Sequence, residues 1–166
     1  MVDEKQRTED IEKLGKLIKD IKVAMMTTVE TDGKLRSRPM WTQQQEFDGD
    51  LWFFTETTAP KVFELRQDSQ VNLSYADSGS QTYVSVSGSG ELVRDRKKLE
   101  ELWNPLYKAW FTEGLDTPNL GLIRVRVEKA EYWDSPNGKV VQLVGFVKSL
   151  ATGERVDAGE NKKVDL

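Results

Sequence analysis

The chain has 166 residues, 31% of them charged, with 24 Lys and Arg against 28 Asp and Glu and a formal net charge of −4. That length suits one domain with a substantial hydrophobic core, and the slight acidic excess argues against a nucleic-acid-binding face. Cysteine and histidine are both absent, which excludes disulfides, thiol nucleophiles, zinc fingers, Ser-His-Asp triads and imidazole bases.

The opening residues, MVDEKQRTEDIEK, carry neither a basic n-region nor an apolar h-region, so no secretory leader is expected. Residues 8–21 place Ile11, Leu14, Leu17, Ile18 and Ile21 on one face of a helix, with Thr8 as its N-cap. The period then changes: VAMMTTV (23–29) reads as a strand and TDG (31–33) as a hairpin turn. KLRSRPMWTQQQEF (34–47) is the returning strand, in which Pro39 demands an edge, a bulge or an interruption. DGD (48–50) turns the chain into the strand LWFFTE (51–56). Pro60 then opens a short helix, PKVFELRQ, with Val62, Phe63 and Leu65 as its buried side.

QVNLSYAD (70–77) and TYVSVSGSGELV (82–93) alternate as strands, and Gly88 and Gly90 suggest a bulge or a close backbone approach. RDRKKLEELW (94–103) is helical, and NPLYKAWFTEG is a second helix or an ordered loop. LGLIRVRVEKAEYWD (120–134) is a long strand with SPNG as its turn, and KVVQLVGFVKSL (139–150) is a strand or a terminal helix whose β-branched start favours strand. Antiparallel strands with helices at their margins predict an α+β, mainly β, closed or partly closed barrel. One domain over residues 1–150 is expected, with 151–166 as a polar arm or frayed tail. No apolar run approaches the roughly 20 residues needed to span a bilayer, and the lack of cysteine fits a cytoplasmic protein.

A chain without His or Cys that performs chemistry must borrow its reactive atoms from a cofactor; a metal would find only carboxylates and carbonyls, and no metal site is expected. Two segments are candidates for anion binding. Arg36 and Arg38, two apart in LRSRPMW, share a face of a regular strand and form either a solvated basic edge or a phosphate or carboxylate clamp. In LWFFTETTAPK, Thr55, Thr57 and Thr58 precede Lys61 in the first turn of the helix, which gives either an ordinary cap beside a solvated lysine or a phosphate cradle. Taken singly, each reads better as ordinary surface chemistry. Their order can bring both cations to one point.

The arrangement RxRPMW, then LWFFT, then a downstream lysine resembles the pyridoxamine phosphate oxidase-like superfamily of flavin-binding split barrels, and within it the general stress protein family. The likeness continues through SVSGSGEL, KAWF and EYWDSPNGKV, from about residue 10 to 150. It implies an FMN-binding split β-barrel with peripheral helices, assembled as a homodimer with two flavin sites at the interface. Arg38 then corresponds to the strand arginine near the flavin phosphate, and Lys61 to the lysine that accompanies it. Thr55 corresponds to the threonine that approaches the ring or ribityl chain, with Thr57 among the cradle hydroxyls. Met40 lies where backbone groups line the ring edge. Tyr83 or Thr82 falls near a ring-contacting glutamine of the oxidases. Trp133 resembles a tryptophan contributed by the second subunit, and Trp110 and Lys108 lie in a segment that reaches across the interface. FAD or a deazaflavin is an alternative; haem is disfavoured without a His or Cys ligand.

The chain departs from the oxidases at Gln43, where they have a lysine, and at Pro60, where they have an arginine, and it lacks their C-terminal arginine–histidine pair. Pyridoxamine phosphate oxidation is therefore not the expected activity. Two readings remain: a flavin-dependent oxidoreductase using NAD(P)H or a small electron donor or acceptor, and a flavin-binding or flavin-buffering stress protein without turnover.

Overall fold

The computed structural model describes residues 3–43, 45–135, 146–153 and 159–166. Helix α1 (Glu4–Ile18) opens the chain. Asp3 is its N-cap, not Thr8, whose hydroxyl instead donates back to the Glu4 carbonyl at 3.0 Å inside the helix. Leu14 and Ile18 are buried; Ile21 is buried too, but beyond the helix end. Strands β1 (Val23–Val29) and β2 (Leu35–Trp41) form the expected hairpin, with Gly33 at φ +83° in its turn. The returning strand is shorter than the expected 34–47, and Pro39 sits on it at the sheet edge.

Next come β3 (Asp50–Glu56) and α2 (Pro60–Gln67), the latter with Ala59 as N-cap and Pro60 in its first turn. Val62 and Leu65 face the core as expected, but Phe63 is 51% exposed, with the Arg66 guanidinium 5.7 Å from its ring centre. Its place on the inner side falls to Glu64, which is buried. Strands β4 (Gln70–Asp77) and β5 (Thr82–Val93) pair antiparallel, and β5 continues onto the 15-residue β6 (Leu120–Asp134). The β5–β6 register slips between Ser87 and Gly88, where a Cβ on Gly88 would lie 2.0 Å from the Arg126 carbonyl oxygen. The bulge therefore needs glycine for want of space.

Between β5 and β6 run α3 (Arg96–Leu102), capped by the Asp95 carboxylate, and two 3-10 segments, Pro105–Ala109 and Gly114–Asp116. After β6, residues 146–152 are helical, while most of the expected SPNG turn and the start of the 139–150 segment lie outside the described residues. Part of the expected tail is ordered structure: Glu160–Asp165 forms β7, antiparallel to the C-terminal half of β6. Val164 is its apolar anchor, and its charges find partners, with Lys162 on Asp10 at 2.7 Å and Glu160 accepting from the Tyr132 phenol at 2.7 Å.

The strand order is β2-β1-β4-β5-β6-β3, with β7 on the same side of β6 as β3, so the sheet curls into a split half-barrel of α+β type with helices around it. One row across the inner face, Met26, Leu73, Val86, Ala130 and Val164, shows how register builds the core. β3 divides two apolar clusters: Phe53 joins the barrel core, while Phe54 packs with Leu99, Leu102, Tyr107 and Leu122 beneath α3 and the 3-10 segments.

Candidate functional site

The split in the barrel falls between β2 and β3. Among the described residues β2 pairs only with β1, and β3 only with β6, so each presents an unpaired backbone edge toward the gap. The gap opens into a cleft of about 490 Å³, within the roughly 300–1,000 Å³ typical of small-molecule sites. β2 contributes Met40 and Trp41, β3 contributes Phe54 and Thr55, α2 contributes Lys61, and the segment after α3 contributes Tyr107 and Trp110. Trp41 and Trp110 meet at the rim with ring centres 5.1 Å apart and planes inclined by 44°, both partly open to solvent. The Tyr107 phenol donates to Gln43 Oε1 at 2.9 Å. Burial raises the Tyr107 pKa above its ordinary 10.0, the Gln43 bond opposing it, so the phenol stays protonated and remains a donor.

Four of the eight expected site residues, Met40, Thr55, Lys61 and Trp110, therefore line one cleft. Arg38 stands behind it. Its side chain points to the interior, where Nη1 donates to Thr28 Oγ1 at 2.7 Å and Nη2 to Glu64 Oε2 at 2.9 Å. For Arg38 this is neither the open clamp nor the solvated edge suggested by LRSRPMW; Arg36 is the solvated edge residue, its side chain exposed and 3.6 Å from Glu30. Lys61 is half-buried and, among the described residues, makes no hydrogen bond or ion pair; burial and the nearby Arg38 charge lower its pKa, with Glu56 and Glu64 pulling the other way.

The other three lie elsewhere. Thr57 is buried away from the cleft, its N–H donating to the Asn119 carbonyl at 2.7 Å and its methyl facing Gly121. Tyr83 and Trp133 are direct cross-strand partners on the exposed face of the sheet, each 41% exposed. They belong to a strip: Trp41 lies opposite Val23, the Ala24–Tyr75 pairing brings Val23 beside Ala76, and Ala76 lies opposite Tyr83. Val23, Met25 and Trp41 are also partly exposed there. Sequence reasoning missed Glu64, Trp41 and Tyr107; only the Lys61-x-x-Glu64 spacing on α2 offered a signal, since residues three apart on a helix are neighbours.

The arrangement suits a planar ligand bearing an anionic group. Aromatic walls accept a ring, unpaired strand edges accept polar ring atoms, and Lys61 offers a cation without a partner among the described residues. None of the described residues form a cluster able to hold a metal ion.

Residues 9–157 match the family model Pyridoxamine 5'-phosphate oxidase like. The chain is 30% identical to Protein bli-3 of Neurospora crassa, an alignment covering 94% of this chain and 79% of that protein. Among solved structures, it resembles the general stress FMN/FAD binding protein from Xanthomonas citri, with 29% identity, a TM-score of 0.68, and coverage of 79% of this chain and 92% of that one. A protein from Jannaschia sp. CCS1 provisionally named general stress protein 26 shares the fold, with 23% identity, a TM-score of 0.77, and coverage of 96% and 99%.

Proposed function

Because the chain belongs to the Pyridoxamine 5'-phosphate oxidase like family, we propose that its cleft binds FMN and that the protein is a flavin-dependent oxidoreductase using NAD(P)H or another small reductant. It is a split barrel of general stress type. The observation that carries the reading is the cleft at the barrel split, where aromatic walls converge on the half-buried Lys61. Lys61 is the direct cation for the phosphate, and Arg38 is held behind it in its ion pair with Glu64. Met40 and Thr55 line the ring side, and Tyr107 and Gln43 hold each other in place at the wall. When bound, the flavin supplies the electron-transfer chemistry that a chain without His or Cys lacks. The vitamer-binding groups of the oxidases are replaced: Gln43 is engaged with Tyr107, and Pro60 starts α2. Pyridoxamine phosphate oxidation is not the proposed activity.

Lys61 gives the test its sign. Its pKa is depressed below 10.5, so it loses its charge at lower pH than a free lysine does. In that alkaline window the folded state binds fewer protons than the unfolded chain, so folding gains stability as pH rises while the attraction for phosphate fades. Titrations followed by flavin fluorescence should show FMN preferred over riboflavin near neutral pH, with the preference declining as pH rises toward 10.5. Lys61→Ala should cut FMN affinity about tenfold, leave riboflavin unchanged and flatten the profile. Equal FMN affinity in wild type and Lys61→Ala would remove the assignment.

We place the cysteine-free protein in the cytoplasm, and the exposed strip containing Trp41, Val23, Tyr83 and Trp133 supports a homodimer in which a second copy covers this face and brings Trp133 toward the partner's cleft. Light scattering at micromolar concentration should give twice the chain mass; a strict monomer would be fatal to this arrangement. A second reading, a flavin buffer without turnover, is favoured by one observation: the strand arginine already has Glu64 as its counter-charge, so it needs no ligand to satisfy it. Anaerobic bleaching of the flavin by NAD(P)H separates the two.

A further inference from the structure

Arg38 and Glu64 form the most enclosed ion pair among the described residues, their side chains 16% and 8% exposed. Glu64 Oε2 accepts from the Thr28 hydroxyl at 2.5 Å and from Arg38 Nη2, while Arg38 Nη1 donates to the same hydroxyl. The three side chains close a ring between β1, β2 and α2. Lys61 lies one helical turn before Glu64 and opens onto the cleft. Arg38 and Glu64 cancel as charges, so of the two nearby cations an anion in the cleft meets only Lys61 uncompensated by an ion pair among the described residues, with the Glu56 carboxylate also on the cleft lining.

We propose that Glu64 is a specificity-determining counter-anion: it neutralises Arg38 internally, limits the preference of the site for phosphate monoesters over uncharged ligands, and keeps the empty site folded. The inference rests on the flavin reading for the identity of the ligand, though not for the phosphate group. An enclosed guanidinium without its carboxylate would be destabilising, and an incoming phosphate would relieve it. With Glu64 in place that relief is already supplied, so phosphate gains only from Lys61 and the ligand can exchange. Glu64 touches no ligand atom in this scheme and acts through Arg38 as a positioning residue.

The test compares wild type, Glu64→Gln, and the double variant Arg38→Met with Glu64→Met. FMN and riboflavin are titrated by flavin fluorescence, and the melting temperature is followed in sodium phosphate against sodium chloride of matched ionic strength. Glu64→Gln should raise the FMN-to-riboflavin affinity ratio about tenfold and enlarge the melting shift in phosphate. The double variant, with both charges gone, should keep a ratio within about threefold of wild type. An unchanged or lower ratio and phosphate shift in Glu64→Gln would overturn the proposal. So would loss of discrimination in the double variant, which would make Arg38 a direct ligand. If Glu64→Gln is unfolded in sodium chloride, folding restored by sodium phosphate at matched ionic strength supports the proposal and failure to fold in both overturns it. A wild type that takes neither flavin would sink the flavin reading alone, because the phosphate melting shift still tests Glu64.

Discussion

Arg38→Ala is expected to destabilise the protein by about 3 kcal/mol, an effect on folding that precedes any effect on ligand binding. The Glu64 carboxylate is nearly enclosed and would keep only the Thr28 hydroxyl as a partner. Removing one member of a buried pair strands the other charge, whereas replacing both with apolar groups of similar volume is often close to neutral. A urea unfolding series on wild type, Arg38→Ala and the Arg38→Met, Glu64→Met pair separates these cases. The single variant should shift the midpoint strongly, and the double should return within about 1 kcal/mol of wild type. A loss under about 1 kcal/mol in the single variant would mean that solvent satisfies the Glu64 carboxylate once Arg38 is removed. Flavin retention by Arg38→Ala must accordingly be measured per folded molecule.

Removing residues 160–166 is expected to cost about 4 kcal/mol, a large part of the 5–15 kcal/mol available to a domain of this size. β7 contributes the buried Val164, worth roughly 1.5–3 kcal/mol in apolar burial. It also covers Ala130 on β6 and satisfies the Tyr132 phenol through Glu160. Burial and the Glu160 carboxylate both raise the Tyr132 pKa, so the phenol stays a donor and would be left without its acceptor. Asp10, buried on α1, would lose Lys162. Val164→Asp in the full chain offers a second route to the same loss. Unfolding midpoints equal to wild type in both variants would show that β7 is dispensable.

Much of the barrel was legible because its strands alternate and their turns carry Gly, Asp and Pro. VAMMTTV, QVNLSYAD and TYVSVSGSGELV each became the strand that their period implied. Phe63 was misjudged because a short amphipathic helix leaves two apolar solutions, and the sheet selected Val62 and Leu65. β7 was hidden by composition: in ENKKVD a single apolar residue anchors the strand, and its charged residues are matched by Asp10 and Tyr132 from distant elements. Pairings of that kind have no local period. The site was half legible for a similar reason. Thr55, Met40 and Lys61 lie on elements with clear signatures, but the partner of Arg38 depends on how α2 docks against β1 and β2, which no spacing within LRSRPMW encodes.

β2 is an edge strand, and such edges invite a strand from another molecule, the first step of amyloid-like stacking. This one carries Pro39, which has no N–H to offer, and beside it a charged side chain turned inward. Both features discourage strand addition. The same Arg38 that anchors the interior therefore also guards the rim against aggregation. The cleft is thereby kept from being zipped shut by a passing strand.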